Sequence, residues 1–550
     1  MDIYLHTLWR KVPSGTVQTK ELAEVLELSM KQTSRHLKRW EQEGWLTFTS
    51  GRGRGNVSKL NWLRNVEEEF EAEVLERIEK EPVEVSSKYL LLDWSPERKQ
   101  RLMEKFQTKF GYVHRDDEED KLIIPRRYPF LSVHPLEAAD VNSANLVATV
   151  YNRLVSVDET GNVTPELAHS YDVDRKRLRL YLKKDVLFHD GSTMTAEDVV
   201  WCLERMRKQP QFKDMWSPIE QIHSPFPLVV DIHYPDGNSY ILQMIGMLNA
   251  SIYKETGHRI SGTGSFFIDE NNEKKTTLIA FKDYFQERPL LDAVEFIQVP
   301  KDYDMAYTTA SKREPEKTVQ VESSSGFGVM IMNPHRNTDI ARKEVRDYVH
   351  WVLAKHRDEI GEIHSRGIPN DTSCLSWRKG NYPVPVVERP EFSSPLVMME
   401  VSYNETITQW AKSVFEKEGV PFEIRRVRFF DSLYSDIRHN EIDLFVHGEI
   451  FEMNEVFSYY VFLKNGYSPL VNILRLDDNL NRKVEAYNQT PFAQWKELHE
   501  QLEDALLRES IMIPLYSEKR RIPFSEDLQN IQLKHFGYVD FSKLWVRPEI

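Results

Sequence analysis

Cysteine is scarce: Cys202 and Cys374 are the only two in 550 residues. That excludes a disulfide-built scaffold and any metal site made of cysteines alone. The pair could close one bridge, but two free buried thiols are the expectation. Long apolar runs are also missing. No window approaches about 18 consecutive apolar residues, so no membrane-spanning helix is expected. Residues Met1 to Arg10 carry no basic n-region, no apolar stretch and no small-residue cleavage site, and do not read as a secretory signal. Glycine does not follow Met1 and no cysteine lies near the C-terminus, so lipidation motifs are lacking. The chain is therefore expected in the cytoplasm, with no membrane partner. Catalytic signatures are absent as well: no Gly-x-Ser-x-Gly elbow, no His-Glu-x-x-His and no Cys-x-x-Cys. No catalytic residue, metal ligand or cofactor is assigned, and an enzyme is not expected. Counts of 22 Gly and 27 Pro exclude a collagen-like or low-complexity class.

What is present is enough to build several cores. The chain is 40% hydrophobic, 11% aromatic and 29% charged. At about 100–200 residues per domain it holds three to five units. The net charge of −14 argues against whole-surface attraction to nucleic acid. Its distribution is uneven, however. Residues 1–64 carry 11 Lys and Arg against 6 Asp and Glu, whereas residues 65–120 carry 9 against 17. A small basic head stands before a large acidic body, which suggests a nucleic-acid-binding module joined to something with another task.

The head reads as three helices and a hairpin. Ile3, Leu5, Leu8 and Trp9 mark a first amphipathic helix, and Pro13 to Gly15 a turn. Thr19 can cap a second helix with Leu22, Ala23, Val25 and Leu26 facing inward. Residues 27–29 form a tight turn, and Ser29 with Gln32 makes a capping box for a third helix. In that helix Met30, Thr33, Leu37 and Trp40 form one buried stripe. Lys31, Gln32, Arg35, Lys38, Arg39 and Gln42 fall largely outside it. Arg can pair bidentately with guanine and Gln with adenine, while Lys neutralises phosphate. A charged face of this kind is more often merely solvated, and its context decides. Residues 45–49 and 57–62 alternate as strands around a basic, glycine-rich tip that holds Arg52 and Arg54. Helix-turn-helix followed by a hairpin is the winged-helix arrangement, with its third helix fitted to the major groove of double-stranded DNA.

Residues 65–120 read as an acidic helical connector. Val66, Phe70, Val74 and Ile78 recur every four residues among glutamates, and a further helix after Pro96 has Leu102, Phe106 and Phe110 inward. The connector could pack on the head, form the seam of a homodimer, or pass a signal onward. The acidic run 116–120 reads as a boundary, so residues 121–550 are expected to fold without the head.

In the body, Thr164 to Asp174, Leu178 to Gly191 and Met194 to Val200 read as an alternating strand, a turn at His189-Asp190-Gly191 and a helix capped at Thr195. These stretches resemble the family 5 extracellular solute-binding proteins, the oligopeptide- and nickel-binding type of transport receptor. Gly262 to Phe266 with Tyr284-Phe285 and Arg288-Pro289, Phe327 to Asn333 with Val345-Arg346, and Asp443 to Gly448 agree. Ser265 stands where the family has proline. A solute-binding body behind a winged-helix head is similar to the SgrR family of bacterial regulators, which is associated with sugar-phosphate stress, a small RNA and sugar transport.

The resemblance implies an α+β and α/β multidomain chain: a winged helix-turn-helix over 1–64, the connector over 65–120 and a two-lobed, type II periplasmic-binding-protein-like domain over 121–550. Lobe 1 would span about 121–300 plus a C-terminal return of about 505–550, and lobe 2 about 301–504. It implies a cytoplasmic transcription regulator that closes on a small solute: a sugar, a sugar phosphate or an oligopeptide. The alternative is a peptide-transport receptor with a non-regulatory extension. Candidate ligand-binding residues are Asn142, Ser143 and Asn145, in a loop after Pro135, and His447, Gly448 and Glu449, just past a second-lobe strand.

Overall fold

The computed structural model describes residues 2–547 apart from 52–57, 82, 108, 115–118, 258, 301–317, 365–366, 380–381 and 435–440. In the head, α1 (Ile3–Lys11) starts at Asp2, whose carboxylate accepts from the Tyr4 N–H at 3.1 Å. There follow β1 (Gly15–Val17), α2 (Thr19–Val25), α3 (Met30–Gln42), β2 (Leu46–Thr49) and β3 (Ser58–Trp62). The hairpin forms as expected, with Leu46 opposite Trp62 and Phe48 opposite Leu60. β1 adds a third, antiparallel strand on the far side of β3. Three residues are too few to display alternation, so the sequence does not reveal it. Ser29 and Gln32 form the predicted capping box on α3. Two expectations need correction. Thr19 is the first helical residue, and the cap position is Gln18, whose N–H donates to Glu21. Thr33, Leu37 and Trp40 are buried, but Met30 is 48% exposed, because the first turn of α3 projects past the packed stripe.

Three helices follow: α4 (Val66–Lys80), α5 (Val83–Leu90) and α6 (Pro96–Gln107). Val66, Phe70, Val74 and Ile78 are all buried, as their spacing requires. α5 is not foreshadowed in the sequence; its mixed Ser and Val content shows no clear period. Not all of the acidic character of α4 is solvated. Buried Glu71 accepts from the Arg101 Nε at 2.6 Å and also from Arg98, which ties α4 to α6.

β4 (Gly111–His114) and β5 (Asp120–Arg126) pair antiparallel, Gly111 opposite Ile123. The boundary expected at 120 therefore falls inside a ladder; Asp120 opens β5 and its carboxylate accepts from the Tyr112 hydroxyl. A charged run marks a hairpin as readily as a linker. Beyond it come α7 (Val141–Val150), the hairpin of β6 (Val155–Val157) and β7 (Val163–Pro165), β8 (Ala168–Val173), β9 (Arg177–Leu182) and α8 (Ala196–Arg207). Thr195 and Asp198 cap α8 reciprocally, as predicted. β10 (Gln221–Phe226) and β11 (Val229–His233) complete a sheet of order β10-β11-β9-β8. After the hairpin of β12 (Lys254–Thr256) and β13 (Arg259–Ser261), strands β14 (Phe266–Asn271), β15 (Lys275–Ala280) and β16 (Ala293–Gln298) form a second sheet, β14-β15-β16-β5-β4.

This five-stranded sheet has two dry faces. Leu122, Ile124, Val294 and Phe296 enter the core of the first lobe. Ile123 and Ile297, with Val299 just past β16, enter the cluster that holds Leu8, Trp40, Phe70 and Phe106 of the head and connector. Strand alternation thus joins the two cores across one sheet.

The second lobe is built on β17 (Thr318–Met332), β18 (Gly367–Pro369), β19 (Leu396–Glu400), β20 (Phe422–Arg426), β21 (Leu444–Ile450) and β22 (Met512–Ser525), in the order β18-β22-β17-β21-β19-β20. The long strands β17 and β22 carry the chain into this lobe and back out. They pair from Thr318 opposite Ser525 to Ile331 opposite Met512, with register shifts at Ser324/Gly326 and Gly328/Val329. Met330 and Met332 meet the helices Lys343–His356 and Glu405–Glu418, whereas Val329 and Ile331 face the other core. The helices between 455 and 508 differ from the expected division of lobes. Tyr460 and Trp495 place their rings 4.9 and 5.3 Å from that of Tyr240 in the first lobe. Aromatic packing carries that stretch across. Both cysteines are free and buried, and burial pushes the Cys202 thiol up to about 12. No helix among the described residues is long and apolar enough to cross a membrane.

Candidate functional site

Two surfaces carry the candidate residues. On α3, Lys31, Gln32, Arg35, Lys38 and Gln42 are exposed along one face, opposite buried Thr33, Leu37 and Trp40. Gln32 also spends its side-chain oxygen on the Ser29 N–H at 3.1 Å. Arg39 is exposed but engaged: its guanidinium pairs with Asp2 and lies 3.7 Å from Glu43. Asp2 in turn accepts from the Trp40 indole N–H at 2.8 Å. Arg39 therefore helps to hold the start of α1 on α3. Arg52 and Arg54 lie outside the described residues.

The second surface is a cavity between α7 and the C-terminal return, lined by Asn145, Thr149, Asn152, Arg153, Glu166 and Tyr284 among others. Asn152 donates to Glu166 at 2.7 Å and to the Tyr284 hydroxyl at 3.2 Å, and accepts from Thr263 at 3.2 Å. Arg153 is only 5% exposed. It stands 3.5 Å from Glu166 with both Nη2 and Nε, the Nη2 contact alone having hydrogen-bond geometry, while Nη1 is buried with no hydrogen-bond partner among the described residues. A buried guanidinium with unused donors is costly unless a ligand completes it. Glu452, just past β21, accepts from the Leu248 N–H at 3.2 Å. Burial raises its pKa, and the nearby Arg153 charge opposes that. Glu452 thus carries the second-lobe strand onto the first lobe. The short turn His535–Gly537 lies against both α7 and β17.

Asn145 lines this cavity. Asn142, Ser143 and Asn145 are not in a loop, however. Asp140 caps α7 through the N–H groups of Asn142 and Ser143, so the polar run starts a helix. Ser143 is buried, and its Oγ accepts from the N–H groups of Leu131 and Ser132, both at 3.0 Å. His447, Gly448 and Glu449 lie within β21 rather than past it, because the ladder continues to Ile450 opposite Gly326. His447 and Glu449 share a face, Nε2 to Oε2 2.9 Å. Gly448 pairs with Gly328, where a Cβ would run into the Tyr516 ring. Sequence reasoning misses Arg153, Glu166 and Glu452. No local pattern marks them, and only the fold brings Arg153 to Glu166 and near Glu452.

Comparison with known proteins covers both parts. Residues 4–117 match the family described as sugar transport-related sRNA regulator N-term, and residues 162–314 match the middle part of bacterial extracellular solute-binding proteins, family 5. A protein of Photorhabdus laumondii named HTH-type transcriptional regulator SgrR is 24% identical over 98% of this chain and 97% of its own length. Its namesake in Yersinia enterocolitica is 23% identical with the same coverage. Among solved structures, a dipeptide-binding protein of a Pseudoalteromonas species in complex with Met-Leu superposes with a TM-score of 0.63 at 15% identity, over 78% of this chain and 100% of its own. The binding protein AgaA in complex with agropinic acid also gives 0.63 at 15% identity, over 78% and 99%.

Proposed function

Since this chain is an SgrR-family regulator, an SgrR-type N-terminal part fused to a family 5 solute-binding body, we propose that it binds operator DNA through α3 and its wing and sets that binding by closing its two lobes on a small solute. The observation that carries the reading is end-to-end similarity to proteins named transcriptional regulators, over 98% of this chain. That similarity takes in the head and favours the regulator over a transport receptor with an inert extension.

In this reading residues 1–64 bind double-stranded DNA, the connector transmits, and the body receives the solute in the cytoplasm without converting it. Lys31, Arg35, Lys38 and Gln42 contact DNA, as do Arg52 and Arg54; Gln32 and Arg39 also fix the geometry of α3. In the body, Asn145 and Arg153 take the solute from the first lobe, and His447, Gly448 and Glu449 border it from the second. Asn142 and Ser143 set the start of α7. The unused donors of Arg153 suit an oxygen-rich solute, which fits a sugar, a sugar phosphate or a peptide carboxylate.

Lobe closure about β17 and β22 moves the first lobe relative to the second. The solute biases the head only through a difference in affinity for open and closed forms. Support for the route comes from the five-stranded sheet, which shares one face with the first-lobe core and the other with the head cluster. A thermal-shift screen of the full chain against sugars, sugar phosphates and dipeptides tests the receptor half. A solute that raises the melting temperature and loses that effect in Arg153→Met supports it; no response across all three classes contradicts it.

A further inference from the structure

Away from the cavity beside α7, β10 and β11 pair with His223 opposite Asp231 and Gln221 opposite His233. Alternate residues share a face, so His223, Asp231 and His233 stand together, opposite the face on which Ile222, Val230 and Ile232 enter the core. The two imidazole rings are 5.3 Å apart and nearly parallel, at 15°. One ligand atom from each of the three side chains lies within 4.8 Å of the others. Nδ1 of His223 is buried without a hydrogen-bond partner among the described residues. Asp231 is buried and held by Arg179 through two hydrogen bonds of 2.7 Å, and this pairing keeps its carboxylate below the usual range.

We propose that His223, Asp231 and His233 form a binding site for a divalent transition ion of the zinc, nickel and copper class. Two imidazoles and an ionised carboxylate are the donor set such ions take, at about 2.0–2.2 Å from the metal. Arg179 orients the carboxylate, as an outer-shell partner does. It also opposes a dication, as does Arg177, which stands opposite His233 on β9. The site is therefore weaker than a closed four-ligand site, and its three protein ligands leave positions for water. A bound ion clips β10 to β11 beside the register shift between His223 and Phe226.

The test uses the full-length, tag-free protein, stripped with EDTA, dialysed and titrated with zinc chloride alone by calorimetry. One equivalent of zinc is expected to bind and to raise the melting temperature. His223→Ala and His233→Gln should each weaken that binding at least about tenfold, while melting in EDTA as the unaltered protein does. Absence of stoichiometric binding overturns the proposal. So does binding undiminished in both variants, which would place the ion elsewhere, the cavity beside α7 included. A variant that melts early in EDTA is replaced by Asp231→Asn, for which the same weakening is required.

Discussion

Ile297 is the residue through which the route between solute and DNA is most directly tested. It is 0% exposed on β16 and packs with Ile123 and Val299 into the head and connector cluster, while its neighbours Val294 and Phe296 face the first-lobe core. Ile297→Ala removes three carbons from a fully buried position and costs about 2–5 kcal/mol. Ile297→Val keeps the strand preference and costs about 0.5–1.5 kcal/mol. An allosteric coupling is typically about 1–3 kcal/mol, so the alanine variant loosens the seam by an amount comparable with the coupling it carries. Hydrogen exchange on the full chain reads this out. Faster exchange is expected in α4 to α6 and in the head, with β19 and β20 unchanged. Val294→Ala, on the opposite face, should speed exchange in the first lobe instead. Unchanged protection over residues 66–107 in Ile297→Ala would refute the shared-sheet route.

Other outcomes follow from the same geometry. Arg35→Ala with Lys38→Ala should weaken operator binding and lower the salt slope by about 0.9 for each phosphate that is no longer neutralised, measured by anisotropy at several salt concentrations; an unchanged slope contradicts the α3 assignment. Asp2→Ala removes the α1 cap and the acceptor of Arg39 and Trp40, and should lower stability by about 1–2 kcal/mol in urea denaturation. A chain starting at residue 121 loses β4 and uncovers Ile123, Ile297 and Val299; it should self-associate on size exclusion, and a clean monomer contradicts the shared core. Burial holds His189 and His350 at about 4 and His499 at about 3. Their folded values lie below the unfolded 6.5, so their stabilisation is full above about pH 6.5 and is lost as pH falls from there toward 4, by up to about 1.4 kcal/mol per pH unit for each group. A urea midpoint that rises between pH 6.5 and 5 would contradict this.

How much of this is legible from sequence depends on how local the determinant is. The capping boxes of α3 and α8 and the stripe of α4 are set by residues three or four apart, and the two strands of the head hairpin by alternation within each strand; all appear as read. β1 is too short for a pattern, and α5 has no clear one. The polar run at Asn142 reads as a loop because Asn and Ser favour turns; only the cap at Asp140 makes it the start of a helix. The boundary placed at 120 meets the start of β5, which pairs back on β4, because charge density does not distinguish a linker from a strand connection. The cavity is legible only at Asn145. Its lining includes Arg153 and Glu166, and Arg153 also feels Glu452, almost 300 residues away, a meeting that no local pattern announces.

The central claim is that one molecule reads a solute and reports it to DNA. Fluorescence anisotropy of the full-length protein on the promoter fragment beside its own gene tests this most directly, with and without a solute that raises its melting temperature. Saturating solute should shift the affinity about 5–150-fold in one direction, and the shift should vanish in Arg153→Met. Superimposable binding curves with and without that solute would contradict the account.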